Sequence, residues 1–559
     1  MINSVYITHD KGDFAMTLKK YVLLTVLTGS LAVSWGSSSA SPAEAASADR
    51  PGVNSSSTVQ PTKSYSLNFD ADKNFTEESL SMNGETVKFR AYRNIVYVAH
   101  PQSAESQSMN IFIPAAYFDG GTVNGYTKDT APIFMPNSVG GYMPGRAGEP
   151  LENDQMNGGA NAALVALSKG YVVAAPAIRG RTTIGDDGKT HVGKAPALIV
   201  DYKAAVRYLR WNQKNLPAGD TEKIISNGTS AGGALSALLG ATGNAKEYAP
   251  YLAEIGAADA RDDIFASSDY CPITNLENAD MAYEWIFNGV NSYYMAVWQL
   301  QDLESRGQNV PGQNQRSAGL PLQAVDADAA NHPVSSQQEV QMTAQEIAVS
   351  KALKDAFPAY LNRLRLKDEK GRKLTLAKDG TGSFRDYIAG KYRESAQDAL
   401  DSGADVSSAS WVKTEHGKVT AIDLSAYPSA ATRMKAAPAF DKLDLSSAEN
   451  DEFGTTENTP KHFSVISKQY EQKDGEMADK DVIKLMNPLN FIGKADTAKH
   501  FRIRHGAIDR DTSLAVPAIL ALKLQNSGAD VDFRVPWGRG HSGDYDLPEL
   551  FDWMDSICK

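Results

Sequence analysis

Lys223 to Gly240 reads KIISNGTSAGGALSALLG, and the fold turns on how this stretch is read. Ile224 and Ile225 end a short apolar run of the kind that forms a buried parallel strand. Gly228-Thr229-Ser230-Ala231-Gly232 follows, and Ala231 to Leu239 is a helix of small and apolar residues. G-x-S-x-G between a strand and a helix is the context a nucleophile elbow requires. The turn is so tight that a Cβ at the flanking glycines would clash, and it pushes Ser230 into an exposed, strained geometry. The same five residues also occur as a plain Gly/Ser turn before a helix. The strand before and the helix after favour the elbow, with Ser230 as nucleophile.

Upstream, Val87 to Ala99 and Met109 to Pro114 alternate or run apolar like the early antiparallel strands of a larger sheet. Asn161 to Lys169 has a helical pattern, Tyr171 to Pro176 (YVVAAP) is a central strand, and Ile199 to Trp211 is an amphipathic helix. Strand and helix alternate, which favours a parallel sheet covered on both faces. Ile133 to Pro136 leads into Asn137-Ser138-Val139-Gly140-Gly141-Tyr142. A Gly-Gly loop after an early strand lets a backbone N–H approach a substrate oxygen, so Gly140 or Gly141 is expected to form an oxyanion hole with Ala231.

Downstream the character changes. Residues 271–462 lose the β/α rhythm and show helix-like segments, Met281 to Leu303 and Ala344 to Leu366, joined by polar stretches such as Arg306 to Gln338. The sheet still lacks its last strands at that point, so this reads as an inserted, mostly helical lid rather than as an independent domain. The core resumes near Leu485. His500 to His505 is a strand, Leu514 to Ser527 a helix and Val531 to Val535 the next strand. An acid, Asp509, follows the first of these strands, and His541 follows the second, 32 residues later. Chain order Ser, Asp, His at successive strand ends is that of an α/β-hydrolase triad. Asp511 is the alternative acid. His505 and His500 precede the acid, and His416 and His462 fall in the lid or at its exit, so these are read as structural or solvated. The expected architecture is α/β, an α/β-hydrolase core in two parts (65–270 and 463–559) around a lid at 271–462.

GTSAGG at Gly228 to Gly233, PNSVGGYMPG at Pro136 to Gly145, RHGAIDRDTS at Arg504 to Ser513 and PWGRGHSGDYDL at Pro536 to Leu547 together resemble the bacterial tannases, tannin acyl hydrolases that cleave galloyl esters. The resemblance runs over most of the chain after its N-terminal leader. It implies a triad of Ser230, Asp509 and His541 and a site that takes a small galloyl ester. It also implies galloyl-binding roles for Lys435 and Glu449, fourteen residues apart in MKAAPAFDKLDLSSAEND, and for Asp511. Two carboxylates and an ammonium can pair with three adjacent phenolic hydroxyls, and a substrate without those hydroxyls would leave buried charge unpaired. Two other readings stay open: a feruloyl or general carboxylesterase, and a catalytically silent hydrolase fold used for binding.

The first 50 residues look like a processing segment. Lys19-Lys20 and the apolar run Tyr21 to Val33 have the form of a signal peptide too short to span a bilayer. Met16 is then the expected start, with small-residue cleavage sites at Ser38-Ser39-Ala40 and Ala43-Glu44-Ala45. Residues 1–45 are accordingly a leader and 46–64 a linker, and a secreted or periplasmic protein without stable membrane insertion is expected. Over the whole chain, 42% apolar residues suffice for a large core, while a formal net charge of −11 and no dense Lys/Arg run argue against a nucleic-acid partner. With two cysteines, Cys271 and Cys558, a Cys-rich zinc site is excluded; the two either pair or remain free thiols. No phosphate-binding Gly loop, dinucleotide fingerprint or metal cluster calls for a cofactor, and Asp544 to Glu549 lacks calcium-loop spacing.

Overall fold

The structure, a computed structural model, describes residues 64–154, 158–296 and 337–559. The leader, most of the linker and the Arg306 to Ser336 part of the polar join lie outside the described residues. Among the described residues, no helix is long and apolar enough to cross a membrane.

Thirteen strands are described: β1 (Phe75–Met82), β2 (Glu85–Val96), β3 (Ser108–Pro114), β4 (Pro132–Pro136), β5 (Val172–Pro176), β6 (Asp220–Thr229), β7 (Ala266–Tyr270), β8 (Ser292–Ala296), β9 (Gln337–Gln341), β10 (Val412–Glu415), β11 (Lys418–Ile422), β12 (His500–Arg504) and β13 (Asp530–Arg534). Nine of them form one sheet in the order β1-β2-β3-β5-β4-β6-β7-β12-β13. The first edge is antiparallel from β1 to β5, and every pairing from β5 through β4, β6, β7 and β12 to β13 is parallel. β5 (VVAAP) is buried at every residue, as a strand covered on both faces must be. The chain leaves the sheet after β7 and returns to β7's free side as β12, so the two halves of the core are hydrogen-bonded neighbours, His500 facing Ala266 and Arg504 facing Tyr270.

The helix Ala231–Ala241 packs on β6 and β7, and its small residues explain how closely it lies. A Cβ at Gly240 would stand 2.9 Å from the Phe501 ring of β12, and one at Gly233 would stand 2.4 Å from the Tyr270 carbonyl oxygen. Only glycine allows that approach.

Between β7 and β12 the chain is not wholly helical. The helix expected over Met281 to Leu303 is Leu276–Phe287; it stops at Asn288, Gly289 follows with φ 98°, and β8 begins at Ser292. Residues 297–303 lie outside the described residues. An Asn-Gly pair ends a helix, and Tyr293-Tyr294 suits a strand better than a helix. β8 pairs with β9, and β10 with β11, as two antiparallel ribbons beside the helices Ala344–Leu364 and Ser383–Asp401. Trp285, Phe357 and Phe384 pack ring against ring where these helices meet. A fully buried ion pair, Arg433 with Glu284 at 2.5 Å, ties the later part of this region to the helix Leu276–Phe287.

Candidate active site

Ser230 stands between β6 and its helix with φ 60° and ψ −122°, a backbone that L residues rarely adopt. The flanking glycines are obligatory: a Cβ at Gly228 would lie 2.3 Å from the Gly232 carbonyl oxygen, and one at Gly232 would lie 2.6 Å from Asn137 Oδ1. Asn137, the residue after β4, fastens the Gly-Gly loop to this turn. Its Nδ2 donates to the carbonyls of Asn227 and Gly232 and to Ser236 Oγ, each at 3.1 Å, while its Oδ1 accepts from Val139 N–H at 3.2 Å. The loop is gripped on its other side by Arg181, which donates from Nε to the Gly141 carbonyl at 3.1 Å and pairs with Asp451 at 2.7 Å. Gly141 and Tyr142 have φ 53° and 58°. Among the described residues neither the Gly140 nor the Gly141 amide donates to another protein group, which leaves both available to a ligand oxygen.

The loops after β12 and β13 are zipped together. Ala507 and Ile508 N–H donate to the carbonyls of Pro536 and Arg539 at 2.9 and 3.0 Å, and a Cβ at Gly506 would fall 2.1 Å from the Arg539 carbonyl oxygen. The His541 loop in turn lies on the elbow: a Cβ at Gly543 would collide with Thr229 Oγ1, and Asn227 Nδ2 donates to Asp544 at 3.0 Å. Strand order thus brings the ends of β6, β12 and β13 to one edge, and these contacts do the local alignment.

His541 Nδ1 is 2.8 Å from Asp509 Oδ2, and Asp509 Oδ1 accepts from the backbone N–H groups of Asp511 and Thr512 at 2.9 and 3.3 Å. Asp509 is therefore the acid on Nδ1. Asp511 is on the other side of the ring, with Oδ2 3.4 Å from His541 Nε2 and Oδ1 ion-paired with Lys435. His541 Nε2 is buried and has no hydrogen-bond partner among the described residues. Burial disfavours the charged imidazole, but Asp509 and Asp511 outweigh it and hold the His541 pKa well above the ordinary value. Burial likewise opposes ionisation of Asp511, yet Lys435 and His541 hold it down at about 2.

Lys435 also lies over the Phe440 ring at 4.5 Å, and its ammonium is held more firmly charged despite burial because Asp511 and Glu449 face it. Glu449, only 9% exposed, is pushed up by burial, against the pull of Lys435. The structure thus brings Ser230, Asp509 and His541 to one edge and links Lys435, Glu449 and Asp511 electrostatically beside His541. The segment between the core halves fixes this side: Tyr283 Oη donates to the Arg510 carbonyl at 2.9 Å and Tyr427 Oη to that of Ala507 at 3.2 Å.

Sequence reasoning weighs Cys271 only as a disulfide partner or a free thiol, not as part of the site. Both cysteines are free and buried, and Cys271 belongs to the site. It follows β7 directly, its thiol lies 3.3 Å from the Ser542 carbonyl, and its sulfur, an Asp509 oxygen and a His541 nitrogen lie within 4.8 Å of one another. Burial pushes the thiol up and keeps it protonated. Asn137 and Arg181 also escape that reasoning; their roles depend on distant partners, and only the position of Asn137 at the head of NSVGG hints at one.

The BD-FAE family model matches residues 147–294. No match is found among curated proteins. Among solved structures the chain is similar to a Fusobacterium nucleatum tannase at 49% identity and TM-score 0.79, over 89% of this chain and 100% of that one. It is similar to a tannin acyl hydrolase from Lactobacillus plantarum at 45% identity and TM-score 0.78, over 88% of this chain and 99% of that one. A tannin acyl hydrolase in complex with ethyl gallate matches with the same identity, TM-score and coverage, 45%, 0.78, and 88% and 99%.

Proposed function

The chain belongs to the tannin acyl hydrolases, carboxylic ester hydrolases built on the α/β-hydrolase fold, and from that membership we propose that it cleaves galloyl esters to gallic acid and an alcohol through a Ser-His-Asp acyl-enzyme. The observation that carries this reading is the charged trio Lys435, Glu449 and Asp511 set against the open nitrogen of His541.

His541 Nε2 takes the proton of Ser230 Oγ as the oxygen bonds to the ester carbonyl carbon, and Asp509 fixes the ring with its proton on Nδ1 and stabilises the imidazolium. The N–H of Ala231 and that of Gly140 or Gly141 hold the oxyanion. Collapse breaks the carbon–oxygen bond to the alcohol, which leaves with the proton from His541. Water activated by the same nitrogen then releases gallate and restores Ser230. Glu449 and Asp511 accept from the phenolic hydroxyls, and Lys435 donates to a phenolic oxygen. A related enzyme's complex with ethyl gallate supports a small galloyl ester as ligand.

Hydrolysis of methyl gallate, methyl ferulate and methyl benzoate side by side tests the proposal. Turnover confined to methyl gallate, and reduced roughly 10³-fold or more in Ser230→Ala, is expected. Equal turnover of all three esters would keep a serine esterase and remove the hydroxyl clamp. No turnover of any would leave a binding module. The Lys19-Lys20 and Tyr21 to Val33 pattern supports export, which N-terminal sequencing of the protein from fractionated cells checks: a cytoplasmic protein with an intact leader would refute it.

A further inference from the structure

His505 is the last residue before the loop that carries Asp509, and its side chain is completely buried. Neither ring nitrogen has a hydrogen-bond partner among the described residues. A buried imidazole without partners costs stability, so packing alone gives no reason for it, and an apolar side chain would fill the same space better. The polar group nearest its Nδ1 along the loop is the triad carboxylate, with Asp509 Oδ2 3.5 Å away. This is longer than a formed hydrogen bond, and such bonds at resting sites tighten when the reaction complex assembles.

The carboxylate has one place left for a donor. Oδ1 is held by two backbone amides and Oδ2 by His541 Nδ1. We propose that His505 is a positioning residue for Asp509: its Nδ1–H reaches Oδ2 and, with the two amides on Oδ1, fixes the carboxylate plane so that Oδ2 stays aligned with His541. The inference rests on Asp509 acting as the triad acid. Burial pushes the His505 pKa down to about 4, the charge of Asp509 offsetting this only in part, so the ring is neutral at working pH. A neutral imidazole carries one N–H, and the adjacent carboxylate selects the Nδ1 tautomer. The ring thus donates to Asp509 without adding a positive charge that would compete with the imidazolium forming on His541. The donor also favours ionised Asp509, which keeps the catalytic proton on His541.

The groups facing this pair are known. His541 is faced by Asp509, Asp511 and Cys271, with Lys435 behind Asp511. Asp509 is faced by His541, His505, Asp511 and the protonated thiol of Cys271, with the phenols of Tyr392 and Tyr427 further off. Removing the His505 donor leaves more of the Asp509 charge for His541, so the His541 pKa rises.

The test uses three variants of the full chain. His505→Leu removes the donor at similar volume, His505→Asn places an amide N–H where Nδ1 stood, and His505→Gln places one where Nε2 stood. With methyl gallate, His505→Leu and His505→Gln are expected to lose about tenfold in kcat at unchanged KM, with the acid limb of kcat/KM displaced upward by about half a pH unit. His505→Asn should recover both. If His505→Leu fails to fold, the contrast between Asn and Gln still decides. Wild-type kcat and acid limb in both Leu and Gln variants would overturn the inference, as would equal loss in Asn and Gln. Nitrogen-15 spectra of labelled histidines give a readout independent of turnover: His505 should remain neutral and protonated on Nδ1 across the range in which the enzyme turns over, and titration in that range or a proton on Nε2 would overturn the proposal. Asp509→Asn run alongside separates the premises. If it is inactive while His505→Leu is wild-type, only the role of His505 falls; if it retains full turnover, the triad assignment falls with it.

Discussion

Three residues can be placed from sequence because a mechanism dictates their order: a serine in a glycine-flanked elbow, then an acid and a histidine after successive strands. Others are invisible for a physical reason. Cys271 and His505 meet their partners across the fold or across a loop, and nothing in their local sequence distinguishes a buried group at a site from one in a core; for Asn137 only its place at the head of NSVGG hints at a role. Asp511 enters the sequence reading as an implied galloyl contact and as the alternative acid on His541, and the structure sets it beside Nε2 rather than Nδ1. That neighbourhood has a consequence. Asp511, at about 2, is anionic across the working range and lies 3.4 Å from His541 Nε2. Asp511→Asn removes the anion and frees the Lys435 ammonium, and both changes disfavour a charged imidazole. With phenyl acetate, which has no hydroxyls to bind, the acid limb of kcat/KM should move down by about one pH unit. With methyl gallate, kcat/KM should fall about a hundredfold or more because a hydroxyl partner is lost. An unchanged limb with phenyl acetate would mean that Asp511 does not influence His541.

At the scale of elements, periodicity locates the strands and helices whose pattern follows from burial. The helix expected over Ile199 to Trp211 is Ala197–Trp211, and the strand expected over Val531 to Val535 is Asp530–Arg534. β7 escapes because ASSDY is polar, yet every residue of it is buried. Part of its polarity is paired, Ser226 Oγ donating to Ser267 Oγ across the sheet at 3.0 Å and Ser267 donating to Asp269 along the strand at 2.5 Å, while Ser268 Oγ and Asp269 Oδ2 have no hydrogen-bond partner among the described residues. The ribbons β8/β9 and β10/β11 escape for a similar reason, since each is too short to show alternation. What the elbow helix demands of β7 is clearer. A Cβ on Gly233 would stand 2.4 Å from the Tyr270 carbonyl oxygen, and that oxygen belongs to a central strand that cannot retreat. The same oxygen accepts the Ser230 N–H at 3.0 Å. Gly233→Ala is therefore expected to cost about 1–3 kcal/mol despite the better helix propensity of alanine, with a lowered thermal midpoint by calorimetry. Activity should fall as well, since pushing the helix from β7 moves Ser230. A variant at least as stable as wild type would show that the helix and strand can separate without cost.

Across the whole molecule, buried carboxyls divide into two groups that pull the pH dependence of stability in opposite directions. Asp509 and Asp511 are held low by charge partners, so what they contribute is present above the unfolded carboxylate range and is lost as the pH falls through their folded pKa values. Asp280 is raised by burial to about 7, Asp544 by burial to about 6, and Glu452 is raised well above its ordinary value by burial that Lys194 and Arg181 do not offset. For these the sign reverses. The folded state keeps a proton that the unfolded chain gives up near pH ~4, so stability declines as the pH rises from there through the folded pKa values. The thermal midpoint should accordingly peak just above the unfolded carboxylate range, at about pH 4–5, and fall by about pH 8. Glu452 offers the cleanest check, being fully buried with neither carboxyl oxygen hydrogen-bonded among the described residues. Glutamine has the shape of the protonated acid and no proton to lose. Glu452→Gln should leave the midpoint at about pH 5 close to wild type, raise it at about pH 8 and so flatten the profile. Parallel profiles for variant and wild type would mean that Glu452 does not ionise over this range and that the alkaline decline comes from the other acids raised by burial, Asp269, Glu277, Asp280, Glu449 and Asp544. Because Glu452 shares the short helix Ala448–Glu452 with Glu449, a gain on the alkaline side would also show that the helix carrying a proposed hydroxyl partner is held in place against an unfavourable charge.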